Sequence, residues 1–278
     1  MRLFHRKAEK SGLFHRCQQG QRLWKALADW YATDLGRYLA GEEQSLLDQE
    51  LVDLFGYHLL QLGFPGHGEI LRSSRVRHHM RTALDPSSAV LRQSDRQLCA
   101  VPEQLPFLSD SLDVVVLSHI LEFSQQPHAV LREVERTLIP EGHVMVIGFN
   151  PLSFWGLARL VRGGNGQPPW CGHFMTLTRL KDWLALLGFD VVRQRRYGYR
   201  PPWQRPRLMQ RLAFLERLGR RLWPFFGGGY LLVARKRVTT LTPIRPRWRA
   251  RRRIAVSGLV KPLNNERQHK GARFESDR

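Results

Sequence analysis

The run Leu112–Ser118, LDVVVLS, constrains this chain more than any other feature. It is almost continuously apolar and β-branched, and it lacks the polar alternation of a strand with one wet face. Such a run reads as a strand buried on both faces of a parallel sheet. The residues that follow agree. PHAVLREVERTLIPEG (127–142) places Ala129, Val130, Val134 and Leu138 on one helical stripe and charges on the other face. Pro127 starts this helix and Gly142 follows it. A second apolar run, His143–Phe149, comes next. Strand, helix and strand in this order point to an α/β doubly wound sheet.

Further runs extend the pattern. Tyr57–Leu62, Met80–Leu84 and Gln97–Val101 precede the central strand, and Asp190–Tyr197 and Tyr230–Arg237 come late. LTRLKDWLALLGFD reads as a helix with Leu180, Trp183, Leu184 and Leu187 inward and Gly188 past its end. Residues 21–55 read as helical, with apolar positions at Leu23, Leu27, Trp30 and Tyr31, then at Leu46, Leu47, Leu51 and Leu54. Ser45 is the expected N-cap of the second part. The expected organisation is an N-terminal helical extension over 1–55, a main domain over 56–237 with a basic helical insertion at 200–226, and a tail over 238–278 of little periodicity.

Charge divides along the same lines. The 278 residues hold 44 Lys+Arg against 24 Asp+Glu. Residues 1–192 carry 20 of each sign, residues 193–223 carry 10 Arg against Glu216 alone, and residues 235–278 carry 14 basic and 3 acidic side chains. The excess therefore informs about partners rather than chemistry, and a uniformly basic protein is excluded. No apolar run approaches the ~20 residues of a membrane span. The basic start lacks the apolar stretch of a secretory signal. Cys17, Cys99 and Cys171, odd in number and far apart, suit a reducing compartment. The expected location is cytoplasmic.

Two segments could hold a ligand. LLQLGFPGHGE (59–69) ends an apolar run in a turn bearing Gly63, Gly66 and Gly68, where a ligand can approach the backbone and meet its N–H groups. Asp85, 22 positions after Gly63, lies where a carboxylate can accept bonds from ribose hydroxyls; capping of the next helix by Asp85-Pro86 is the alternative. His78-His79 reads as a surface loop before a strand. Cys171-Gly172-His173 lacks the second pair that a zinc site needs.

The block 101–123, VPEQLPFLSDSLDVVVLSHILEF, resembles the class I S-adenosylmethionine-dependent methyltransferases. Leu105-Pro106-Phe107, Asp110-Ser111 and Asp113-Val114-Val115 carry the resemblance, with the helix end Arg136-Thr137-Leu138-Ile139-Pro140-Glu141-Gly142 and the strand after it. LDPSSAVL (84–91) and MTLTRLKDWLALLGFDVV (175–192) are similar to further segments of the family. More narrowly, GFNPLSFWGL, TLTRLKDWL and LLVARKR resemble a proteobacterial group within it.

The resemblance implies a Rossmann-like, mostly parallel seven-stranded sheet with the last strand antiparallel and S-adenosylmethionine across the carboxyl ends of the first strands. Gly63, Gly66 and Gly68 would face its methionine part, Asp85 and Pro86 its ribose, and Glu103 and Leu105 the adenine. Ser118 and His119 would border the methyl group. Gln61 stands where the family usually has an acidic residue, and Phe64 and Pro65 occupy the Gly-rich loop.

Methyl transfer needs mainly positioning, with a general base if the nucleophile carries a proton. His119, Glu122 and Asn150, after the fourth and fifth strands, are the candidates. The acceptor, a small molecule or RNA, carries no signature. Residues 205–226 form a basic amphipathic segment with Leu208, Leu212, Leu215, Leu218 and Leu222 on one face, suited to an anionic membrane or a partner, or to packing its leucines on the domain and leaving the arginines of 193–223 beside nucleic-acid phosphates. RPRWRARRR (245–253) could contact nucleic-acid phosphates. The leading expectation is a methyltransferase. The alternative is a degenerate methyltransferase-fold protein that binds RNA or DNA through its basic C-terminal region.

Overall fold

The computed structural model describes residues 23–63, 71, 73–82, 96–98, 100–162, 167–203, 211–212 and 214–237. The chain divides into two compact units, Met1–Thr239 and Thr240–Arg278, and every described residue belongs to the first.

Seven strands form one sheet in the order β3-β2-β1-β4-β5-β7-β6. They are β1 (His58–Leu62), β2 (His78–Thr82), β3 (Arg96–Leu98), β4 (Leu112–Ser118), β5 (Leu138–Phe149), β6 (Phe189–Tyr197) and β7 (Gly229–Lys236). The first five are parallel, and β7 runs antiparallel between β5 and β6. The order jumps outward on both sides of β1 and β4, so the crevice of this doubly wound sheet lies at the carboxyl ends of those strands. The expected β4 agrees to the residue, because a strand covered on both faces leaves its whole length apolar: Val114, Val115, Val116 and Leu117 are fully buried. β1 begins at His58, where the Asp113 carboxylate accepts the backbone N–H groups of Tyr57 (3.1 Å) and His58 (2.9 Å).

Helices cover both faces. α1 (23–31) and α2 (Asp34–Leu51) cover one, joined by a tight turn. Leu27, Tyr31, Leu35, Leu39, Leu47 and Leu51 share one core with Leu59, Val114, Val116 and Ile147. The N-terminal helices are therefore part of the domain's packing. The N-cap of α2 is Thr33, whose hydroxyl accepts from Gly36 N at 3.2 Å and donates to Trp30 O at 2.7 Å. Ser45, the expected cap, lies inside α2, which continues through it. The short α3 (Ile120–Phe123) follows β4. α4 (Pro127–Thr137) and α6 (Leu177–Leu186) pack Val130, Val134, Leu180 and Leu184 on the opposite face, against Leu60, Val115 and Leu117. His78 and His79 lie in β2 and not in a loop, with the His78 ring stacked on His58 across the strand pair at 5.4 Å.

α5 (Phe154–Arg162) follows β5, and α7 (Phe214–Leu222) lies in the segment between β6 and β7. The motif that carried the family resemblance works as scaffold. Glu133 accepts Leu105 N (2.8 Å), and Arg136 donates to Phe107 O (2.9 Å) and to Glu133 (2.6 Å), which fixes 105–109 against α4.

Candidate functional site at the carboxyl ends of β1, β4 and β5

Gly63 follows the end of β1, and its φ of +69° would strain any L side chain. A Cβ there would also lie 2.6 Å from Ser118 O and 3.0 Å from the Trp24 ring of α1. Two residues earlier Gln61 is buried. Its Nε2 reaches Gly63 O at 3.5 Å, and its Oε1 has no partner. At the end of β4, Ser118 is buried with its Oγ equally without a partner. Strand alternation puts Gln61 and Ser118 on the same face of the sheet as α1 and α2. Buried polar atoms ordinarily find partners, so Gln61 Oε1 and Ser118 Oγ leave unused hydrogen-bonding capacity at adjacent strand ends.

The chain then turns sharply. His119 is left-handed (φ 55°), and its N–H donates to Ile147 O at 3.1 Å. This turn drives the imidazole inward, where it is fully buried. Its Nδ1 lies 3.0 Å from Glu122 Oε2 and its Nε2 lies 3.0 Å from Glu43 Oε1 of α2. A carboxylate oxygen only accepts, so both ring nitrogens carry hydrogen and the group is an imidazolium. Burial alone would push its pKa down; the two flanking carboxylates outweigh that and hold it up at about 10.

The hydroxyls of Tyr31 (3.2 Å) and Tyr197 (3.0 Å) donate to the same Glu43 oxygen, and Glu122 Oε1 accepts Phe149 N. The Phe149 ring covers the imidazole at 4.4 Å. Burial, and then the neighbouring Glu43 charge, raise both tyrosines well above the ordinary phenol value. No motif joins Glu43, Tyr31 and Tyr197 to His119: they come from α2, α1 and β6, with Glu43 and Tyr197 154 residues apart, and the one sequence signal is a glutamate between Leu39 and Leu47 on the buried stripe of α2.

Asn150, at the end of β5, is engaged on every side. Its Nδ2 donates to Gly227 O (2.9 Å), Phe225 O (3.0 Å) and Leu152 O (3.3 Å), and its Oδ1 accepts Leu152 N (3.1 Å). Ser153 then caps α5, its hydroxyl accepting Gly156 N at 3.2 Å. The GFNPLSFWGL segment thus locks the exit of β5 to the entry of β7. Glu103 accepts the Ser124 hydroxyl at 2.7 Å, and Leu105 is buried beside it. Gly66, Gly68, Asp85 and Pro86 lie outside the described residues. Among the described residues no three His, Cys, Asp or Glu side chains converge as metal ligands.

A family model described as a methyltransferase domain matches residues 60–146, the span from β1 to β5. The uncharacterized protein YafS of Escherichia coli K12 is 33% identical over 189 residues, which cover 68% of this chain and 72% of that protein. The chain belongs to the class I S-adenosylmethionine-dependent methyltransferases. The malonyl-[acyl-carrier protein] O-methyltransferase of Laribacter hongkongensis is 31% identical over 141 residues, 45% of this chain and 47% of that enzyme. Among solved structures, an S-adenosylmethionine-dependent methyltransferase of Thermotoga maritima superposes with a TM-score of 0.55 at 15% identity, covering 77% of this chain and all (100%) of that one, which shows a shared fold.

The cofactor of this methyltransferase is therefore S-adenosylmethionine. The residues present fit it: a left-handed glycine admits close approach to the backbone, and Gln61 Oε1 and Ser118 Oγ stand ready for polar atoms.

Proposed function

We propose that this methyltransferase is catalytically active and moves a methyl group from S-adenosylmethionine to an acceptor held beyond the ends of β4 and β5. The observation that carries the proposal is the pair of orphaned buried atoms, Gln61 Oε1 and Ser118 Oγ, beside the left-handed Gly63. Bound there, the cofactor supplies an electrophilic methyl group on a sulfonium. Gly63, with Gly66 and Gly68, takes the methionine part. Asp85 and Pro86 take the ribose, Glu103 and Leu105 flank the adenine, and Ser118 borders the sulfonium end.

His119 and Glu122 act as positioning residues. An imidazolium between two carboxylates has no lone pair with which to accept a proton, so His119 serves electrostatics rather than base catalysis. One imidazolium against two carboxylates leaves one net negative charge under the crevice, which favours a sulfonium over a neutral thioether. Asn150 holds the wall between β5 and β7 on the acceptor side.

Isothermal titration calorimetry tests the reading. Saturable binding of S-adenosylmethionine and of S-adenosylhomocysteine is expected, weakened several-fold in Ser118→Ala and lost in Gly63→Ala. Circular dichroism checks that each variant is folded. Absence of heat at millimolar ligand with the wild-type chain folded overturns it.

A further inference from the structure

Of the leucines expected on one face of the segment before β7, Leu218 and Leu222 are exposed, Leu212 and Leu215 are half-buried, and Leu208 lies outside the described residues. α7 turns Glu216 and Gly219 inward and leaves Phe214, Leu218 and Leu222 exposed. Glu216 decides the orientation. Its carboxylate accepts the Tyr38 hydroxyl (2.7 Å), Tyr199 N (3.1 Å) and Gly198 N (3.2 Å). Gly219 lies so close to the Tyr199 ring that a Cβ would sit 2.6 Å from it. The apolar surface continues through the exposed Trp223, Phe225 and Phe226.

α5 does the same. It buries Trp155 and exposes Phe154, Leu157, Leu160 (77% exposed) and Val161 (81%). The two segments meet. Asn150 Nδ2 bonds both Leu152 O and Phe225 O, and Arg162 at the far end of α5 donates to Pro202 O at 3.1 Å, next to the exposed Trp203.

The exposed charge of these two segments has one sign, although the half-buried Glu42 of α2 lies near Arg220. Residues 150–181 contain no Asp or Glu, and the only one in 191–237 is Glu216, which faces inward. Arg217, Arg220 and Arg221 flank the α7 stripe, and the Arg196 guanidinium lies over the Phe225 ring at 5.1 Å. A second copy of so cationic a face would be repelled. A nucleic acid would meet the arginines but leave Leu160, Val161, Leu218 and Leu222 without apolar cover. An anionic bilayer matches both parts, taking aliphatic and aromatic tips into the acyl boundary and arginines among the headgroup phosphates.

We propose that the exposed face of α5, α7 and the Trp223–Phe226 turn docks on the surface of an anionic lipid bilayer. This contact is peripheral, since no helix among the described residues is long and apolar enough to cross a membrane. It is also separate from methyl transfer and is read without cofactor.

Flotation of the full chain with vesicles tests it, using phosphatidylcholine alone and phosphatidylcholine mixed with phosphatidylglycerol. The wild-type chain is expected to float with the mixed vesicles and far less with the neutral ones. Leu218→Ser/Leu222→Ser and, separately, Leu160→Ser/Val161→Ser should each cut the bound fraction about tenfold, with circular dichroism unchanged. A blue shift of tryptophan emission on adding mixed vesicles supports insertion. Flotation that both double variants retain would assign the binding to the basic tail and overturn the proposal. So would equal binding to both compositions, a vesicle-free dimer that the α7 variant abolishes, or salt-sensitive binding of single-stranded RNA without flotation.

Discussion

Beneath the end of β4 the chain buries an imidazolium between two carboxylates, whereas along α5, α7 and the turn after it the chain leaves leucines, a valine and five aromatic rings in water. Both regions run against ordinary partition, and they do so for different reasons. The inner cluster survives because every charge has a partner: His119 has Glu43 and Glu122, and Glu43 also has two tyrosine hydroxyls. Its stability depends on completeness. The outer face has no partner within the described chain and contributes little to folding. One region is fragile to any single deletion; the other is tolerant and free to serve a contact.

The largest effect should come from removing the cation. His119→Leu leaves Glu43 and Glu122 facing each other in the core, and a loss of roughly 3–5 kcal/mol is expected by urea denaturation. Adding Glu43→Gln should restore part of it; an unchanged midpoint in His119→Leu would refute the cluster's structural role.

Alkali attacks the same group without mutation. The folded pKa of His119 is about 10 against 6.5 for an ordinary histidine. Its stabilising contribution is therefore complete below about pH 6.5 and disappears as pH rises through about 10. Denaturation midpoints should fall across that window, more steeply in the wild type than in His119→Leu.

Glu216→Ala removes the acceptor of three hydrogen bonds and should cost about 1–3 kcal/mol. It also releases α7 from its inverted orientation, which a drop in vesicle binding would register. Leu218→Ser/Leu222→Ser marks the other end of the scale. With Leu218 38% and Leu222 54% exposed, a stability change within about 1 kcal/mol is expected, and a large loss would show that the face is packed rather than presented.

The sheet was readable from residues because strands covered on both faces leave an unbroken apolar signature, as in LDVVVLS. His119, Glu122 and Asn150 could be picked out by their position after strand ends. Their partners could not. Glu43 lies 76 residues from His119, and only its place between Leu39 and Leu47 on the buried stripe of α2 sets it apart from the half-buried Glu42 beside it. The orientation of α7 was hidden for the same reason. Its leucine stripe describes an amphipathic helix either way up, and the Glu216–Tyr38 bond across 178 residues chooses between them. Ser45 misled because local capping chemistry is common inside helices, while Thr33 gained its role from the turn between α1 and α2.

The basic block that begins at residue 193 has a further consequence at the rim of the sheet. β6 is one of the two edge strands of the sheet, and most of its residues are exposed. Arg193 and Arg195 on it reach Glu50 of α2 and Asp53 just beyond that helix at 2.7–3.3 Å. A strand at an open border offers its backbone to any other strand that drifts past, and bulky cations along it are a deterrent. Part of the positive charge therefore guards the domain against adding strands from its own copies, so neutral replacements along β6 would be felt first as aggregation at high protein concentration.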